Sequence, residues 1–145
     1  ADVDDSLEEK YFDIYFKASG GSGKTQVWFD VDGTAGGTPP TGTGSYDSQI
    51  EVIGITTNDS AESVATHIAS AIDDFVDSDA FAPASCEVNG DTIFITDAES
   101  VARTDASAGD SGFTVNVENQ GGTSAVPTTF EINDISIVYR TKSVK

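Results

Sequence analysis

Residues 25–31, TQVWFDV, constrain this chain more than any other stretch, because they follow directly on a glycine-rich run that reads like a phosphate-binding loop. Residues 18–25, ASGGSGKT, fit the looser form of that motif, with Ala in the leading Gly position. Such a loop works only where it opens a helix whose free N–H groups and dipole hold the anion. Here Val27, Phe29 and Val31 fall on one side and Gln26, Trp28 and Asp30 on the other, in residue types that favour pleated backbone. Period two means a strand. The glycine-rich run is therefore expected to join two strands, YFDIYFK and TQVWFDV, as a hairpin connection with Lys24 in solvent, and nucleotide binding is not expected.

The same strand ends in VWFDVDGT, which resembles the nucleophile motif of haloacid dehalogenase-like phosphatases, with Asp30 as nucleophile and Asp32 as acid/base. That chemistry needs a parallel sheet with crossover helices and a later Lys or Arg to neutralise phosphoryl charge. AGGTPPTGTG follows instead, and cannot form a helix. The bases that come later are Arg103 in a polar loop and Arg140, Lys142 and Lys145 at the end. Asp30, Asp32 and Asp47 could offer hard oxygens to Ca2+. The EF-hand register fails, however, since Gly33 in its glycine position puts Trp28 and Pro39 where ligands belong. No catalytic residues, cofactor or metal site are expected, and the chain reads as non-enzymatic.

Charge narrows the partners. There are 25 acidic and 7 basic residues, a net charge of -18, and between positions 25 and 139 Arg103 is the one base among 19 acids. Nucleic-acid binding requires Lys and Arg to neutralise phosphates, so a body of this kind repels the polymer. The length suits one domain, expected over residues 10–139, between an acidic arm (1–9) and a basic tail (140–145). The single Cys86 allows no internal disulfide and reads as a small buried strand residue. His67 alone cannot build a histidine metal site. No apolar run approaches membrane-spanning length, and no membrane role is expected.

The rest of the chain is mostly short strands. Residues 33–48 form a Gly/Pro/Thr excursion, including Pro39 and Pro40, that suits an exposed contact loop. QIEVIGITT is a third strand whose alternation breaks at Ile53-Gly54, where a bulge would return Ile55 to the core face. One helix is expected near 60–76, capped by Asp59 or Ser60, with Glu62 completing a box in the former case. Its apolar stripe is Val64, Ile68, Ala71, Ile72 and Phe75. His67 lies at the edge of that stripe. Asp73, Asp74, Asp77 and Asp79 crowd its C-terminal end, where the macrodipole disfavours acids. Asn89-Gly90 signals a hairpin between strands at 84–88 and 92–96; further strands are expected at 112–118 and 130–139. The sum is an α+β domain, mainly an antiparallel β-sandwich of about seven strands with one packed α-helix.

The runs VWFDVDGTAGGTPP, IEVIGITTNDSAESVATHIASAI, VNGDTIFIT and GFTVNVENQGG together resemble a module met repeatedly in structural proteins of tailed bacteriophages and related viruses. The closing FEINDISIVYRTKSVK also looks like the last strand of phage virion proteins. The resemblance spans roughly residues 11–122 and implies a homo-oligomeric virion component. A capsid decoration or accessory subunit is the first choice, and a tail tube, neck or fibre-associated subunit the alternative. The terminal arms have opposite charge, so Asp4, Asp5, Glu8 and Glu9 of one subunit are expected to meet Arg140, Lys142 and Lys145 of another, with Pro39, Pro40 and Trp28 as further contacts. The competing class is a secreted carbohydrate-binding β-sandwich using Trp28 and Tyr46.

Overall fold

The computed structural model describes residues 6–15, 23–33, 36–75, 83–97, 102–119, 129–133 and 136–138. The two strands around the glycine-rich run are β1 (Tyr11–Tyr15) and β2 (Lys24–Phe29), antiparallel with Phe12 opposite Val27. Their period-two pattern turns Phe12, Ile14, Val27 and Phe29 inward, all fully buried. β3 (Ser48–Val52) completes a three-stranded sheet on the other side of β2, but it runs parallel to β2, with Val27 opposite Ile50. Parallel neighbours need a crossover, which the 30–47 segment supplies, with no helix among its described residues. This pairing departs from the mainly antiparallel order expected. Alternation assigns faces to a strand but not its direction relative to a neighbour.

Beyond Val52 the chain leaves the sheet, and Gly54 takes a φ of 84° that a side chain would strain. That turn carries Ile55 back into the core, where it is fully buried, but the expected bulge does not form: the strand ends at Val52 and the chain turns at Gly54 instead of continuing to 57. α1 (Ala61–Asp74) follows. Ser60 is its N-cap, its hydroxyl accepting from Ser63 N at 3.1 Å. Asp59 instead closes the preceding turn, its carboxylate accepting from Thr56 N at 3.0 Å. The side of α1 carrying Val64, Ile68 and Ile72 is buried.

β4 (Pro83–Asn89) and β5 (Thr92–Asp97) form the expected hairpin, shifted so that Gly90 and Asp91 are its two central residues. Gly90 alone of the pair has a positive φ, 64°, which places Gly first in the two-residue loop. β6 (Thr114–Asn119), β7 (Thr129–Asn133) and β8 (Ser136–Val138) join them in a second sheet ordered β4-β5-β7-β6-β8. The single final strand expected over 130–139 is therefore two strands paired antiparallel, with Ile132 opposite Ile137.

One core joins the two sheets and the helix. Phe12, Phe29 and Phe113 cluster at its centre with ring centroids 5.5–6.1 Å apart, a spacing at which tilted rings attract. Part of the expected acidic arm belongs to this domain. Leu7 is buried, Glu9 N donates to Phe29 O at 3.1 Å, and the Glu8 carboxylate accepts from Val31 N at 2.6 Å. The apolar Leu7 between acids is what ties residues 6–9 down. The fold is thus α+β, with one helix and two sheets among the described residues.

Candidate interaction surface

The second face of the three-stranded sheet is polar by sequence and covered in the structure. Strand register stacks two rows across it, Asp13–Gln26–Gln49 and Tyr11–Trp28–Glu51. Asp13, Gln26 and Trp28 are nonetheless at most 6 % exposed. Part of the cover is the 36–47 excursion, which folds back instead of projecting. Its Thr43 carbonyl accepts from Lys24 Nζ at 3.2 Å, and Asp47 N donates to Lys24 O at 2.8 Å.

Lys24, expected in solvent, is therefore enclosed. Its side chain is 12 % exposed and its ammonium lies 3.0 Å from Asp13 Oδ2. The reason is register: Asp13 faces Gln26 across the hairpin, so Lys24 two residues back is its diagonal neighbour on the same face. Burial pushes the Asp13 carboxyl above its ordinary value, and Lys24, bonding to it and attracting it, only partly opposes this. Thr25, the other side chain a phosphate loop would use, is fully buried and shares a 2.8 Å hydrogen bond with Ser48. Both residues are committed to the sheet, in a strand that begins at Lys24.

Asp30 and Asp32 diverge. Asp30 lies beside Glu51; loss of surrounding water, then the Glu51 charge and hydrogen bond, hold its carboxyl above the ordinary range. Glu51 is itself fixed by Gly36 N at 2.9 Å and Gly37 N at 2.7 Å. A Cβ at Gly33 or Gly37 would fall on the Asp30 carboxyl, which is why this turn is glycine-rich. Asp32 turns to Thr57, accepting from its hydroxyl at 2.6 Å. Asp47 is engaged through its backbone to Lys24. Among the described residues no three His, Cys, Asp or Glu side chains gather to hold a metal ion. Likewise no helix among them is long and apolar enough to cross a membrane.

Among the described residues, what remains open is the rim of β3. It is the last strand of its sheet, and between it and the flank of α1 runs a groove of about 310 Å³. Ile53, Ala71 and Phe75 are its apolar lining and Glu51 and Asp74 its acidic lining, and His67 lies in it against Gly54. Cys86, on the neighbouring β4, is half-buried and packs on the core. Burial, then Asp73 and Glu87, push its thiol well above the ordinary range, which favours the protonated thiol at neutral pH.

The expected contact residues are scattered. Pro39 and Pro40 are half-buried in the excursion, Glu8 and Glu9 lie at the N-terminal turn, and Trp28, 4 % exposed, has little area left for an external contact. Asp4, Asp5, Arg140, Lys142 and Lys145 lie outside the described residues. Two features were missed in the sequence. The Asp13–Lys24 pair was signalled by a lone Asp between Phe12 and Ile14, and the Glu51 clamp by an outward acid on β3 facing a glycine-rich turn. No protein-family model, curated protein or solved structure matches this chain.

Proposed function

We propose that this protein is a non-enzymatic structural component of the virion of a tailed phage or related virus, acting as a capsid decoration or accessory subunit that assembles with copies of itself and with other virion proteins. A tail tube, neck or fibre-associated subunit is the neighbouring alternative within the same reading. In this reading the two sheets form a β-sandwich of about seven strands. The observation that carries it is the edge of β3, unpaired among the described residues, beside an excursion pinned by Glu51 and Lys24. An edge strand is a template for pairing, and a loop held by its own glycines presents a fixed contour for a partner to fit. Net charge of -18 disfavours sequence-specific nucleic-acid binding and suits a surface past which a polyanion must move.

The carbohydrate reading loses its stacking platform with Trp28 enclosed and retains Tyr46, 39 % exposed. Sedimentation velocity and negative-stain microscopy over a range of protein and salt concentrations test the proposal. Rings, trimers, tubes or binding to particles support it. A monomer at every concentration that binds neither particles nor other virion proteins would overturn it.

A further inference from the structure

The groove beside β3 has a direction, an apolar lining and a charge. In a parallel ladder alternate residues bond a given neighbour, and Val52 O accepts from Asp30 N on the β2 side. Gln49 and Glu51 therefore turn their backbone groups to the open side. Its lining is partly apolar, with Ile53 39 % exposed, and partly acidic, with Glu51 and Asp74. Asp73 and Asp74 end α1 at the negative pole of its dipole, and its last turn holds no base. Loss of water and the Asp74 charge raise the Asp73 carboxyl, as expected where acids crowd without a cation.

The cations within the described residues are committed elsewhere: Lys10 to Asp110, Lys24 to Asp13 and Arg103 to Asp97. Four of the seven bases, Lys17, Arg140, Lys142 and Lys145, lie outside them, and three of these fall in the last six positions. β8 ends at Val138, leaving YRTKSVK, residues 139–145. Extended, seven residues reach about 23 Å, enough to run the length of a five-residue strand. Alternation would put Arg140 and Lys142 on one face of such a segment and Tyr139, Thr141, Ser143 and Lys145 on the other.

We propose that the groove between the β3 edge and α1 is the docking site for the chain's own basic C-terminal segment, residues 139–145. The segment adds to β3 as a further strand. Arg140 and Lys142 face Glu51 and Asp30, Tyr139 lies on the apolar flank of α1, and Lys145 is the base directed to the acidic helix end. Main-chain bonds to the edge supply affinity, and the alternate side chains set the choice of segment.

Two measurements on the full chain test this. Hydrogen exchange is compared with that of a variant carrying Arg140→Glu, Lys142→Glu and Lys145→Glu. The amides of Gln49, Glu51 and Ile53 are expected to exchange about tenfold faster in the variant, equivalent to about 1.4 kcal/mol, while those of Phe12 and Ile14 keep their protection and report an intact fold. A photo-crosslinking amino acid in place of Tyr139 is expected to attach within residues 49–53 or 67–75. Unchanged exchange at the β3 edge, or crosslinks confined to other surfaces, overturns the proposal. The product's mass separates it from the virion reading: a crosslink between chains supports both, whereas one within a single chain keeps the docking site and counts against assembly through it.

Discussion

Replacing Lys24 by Met separates the two meanings of the GKT string, because a phosphate-binding lysine and a buried structural lysine fail differently. Met keeps most of the Lys stem and removes the ammonium. The Asp13 carboxylate, with 8 % of its side chain exposed, then loses its cation, and its Oδ1 has no hydrogen-bond partner to compensate. Breaking a buried pair on one side costs about 3–5 kcal/mol, and the lost bond to Thr43 O lies within that range. For a domain of this size 3 kcal/mol corresponds to about 10 °C in Tm. Urea unfolding at pH 7 gives the stability, with the midpoint expected to fall and the slope to stay constant. A second change, Asp13→Leu, removes the stranded charge, so the double variant is expected to recover at least half of the loss. The deficit also shrinks as pH falls, because the unpaired Asp13 takes up a proton in the folded state. A Lys24→Met protein within about 0.5 kcal/mol of the parent, the range of ordinary surface substitutions, would refute the reasoning.

Three further outcomes follow from the same contacts. Ser60→Ala removes the N-cap and is expected to cost about 1 kcal/mol by urea unfolding, with the loss of helix signal following α1. Gly37→Ala sets a Cβ against the Asp30 and Glu51 carboxyls and is expected to cost about 1–3 kcal/mol, with faster exchange of the Gly36 amide that Glu51 holds. Stability also depends on pH in a defined direction. Asp13, Asp30 and Asp73 have raised folded pKa values, so the folded state gains protons first and stability rises as pH falls from neutral towards those values. Asp59 is lowered by its bonds to the Thr56 turn, so its contribution is present above the ordinary value of 3.8 and is lost as pH falls below it. Melting curves between pH 3 and 8 should therefore peak on the acid side of neutrality, and a Tm that rises steadily up to pH 8 would contradict the assignment.

The sequence by itself determined which apolar residues face the core and what local form they take. Val27 and Phe29 alternate, Val64, Ile68 and Ile72 recur at helical spacing, and their burial follows from those two periods whatever surrounds them. It also settled that a strand and not a helix follows the glycine-rich run, since Val27, Phe29 and Val31 alternate with Gln26, Trp28 and Asp30, although the strand starts one residue earlier than expected, at Lys24. Tertiary structure alone decided that β3 runs parallel to β2, that the 36–47 excursion folds over a polar sheet face, and that Lys24 and Trp28 are enclosed beneath cover instead of meeting solvent. Periodicity records two sides of a strand without saying what lies against the second one. Glu51 reaching Gly36 and Gly37, and Asp13 reaching Lys24, join residues 14 or 15 and 11 positions apart through the crossover and the hairpin, so their contacts exist only once the strands have chosen neighbours. Local spacing fixes what a segment can bury; only the packed chain fixes which charges it brings together.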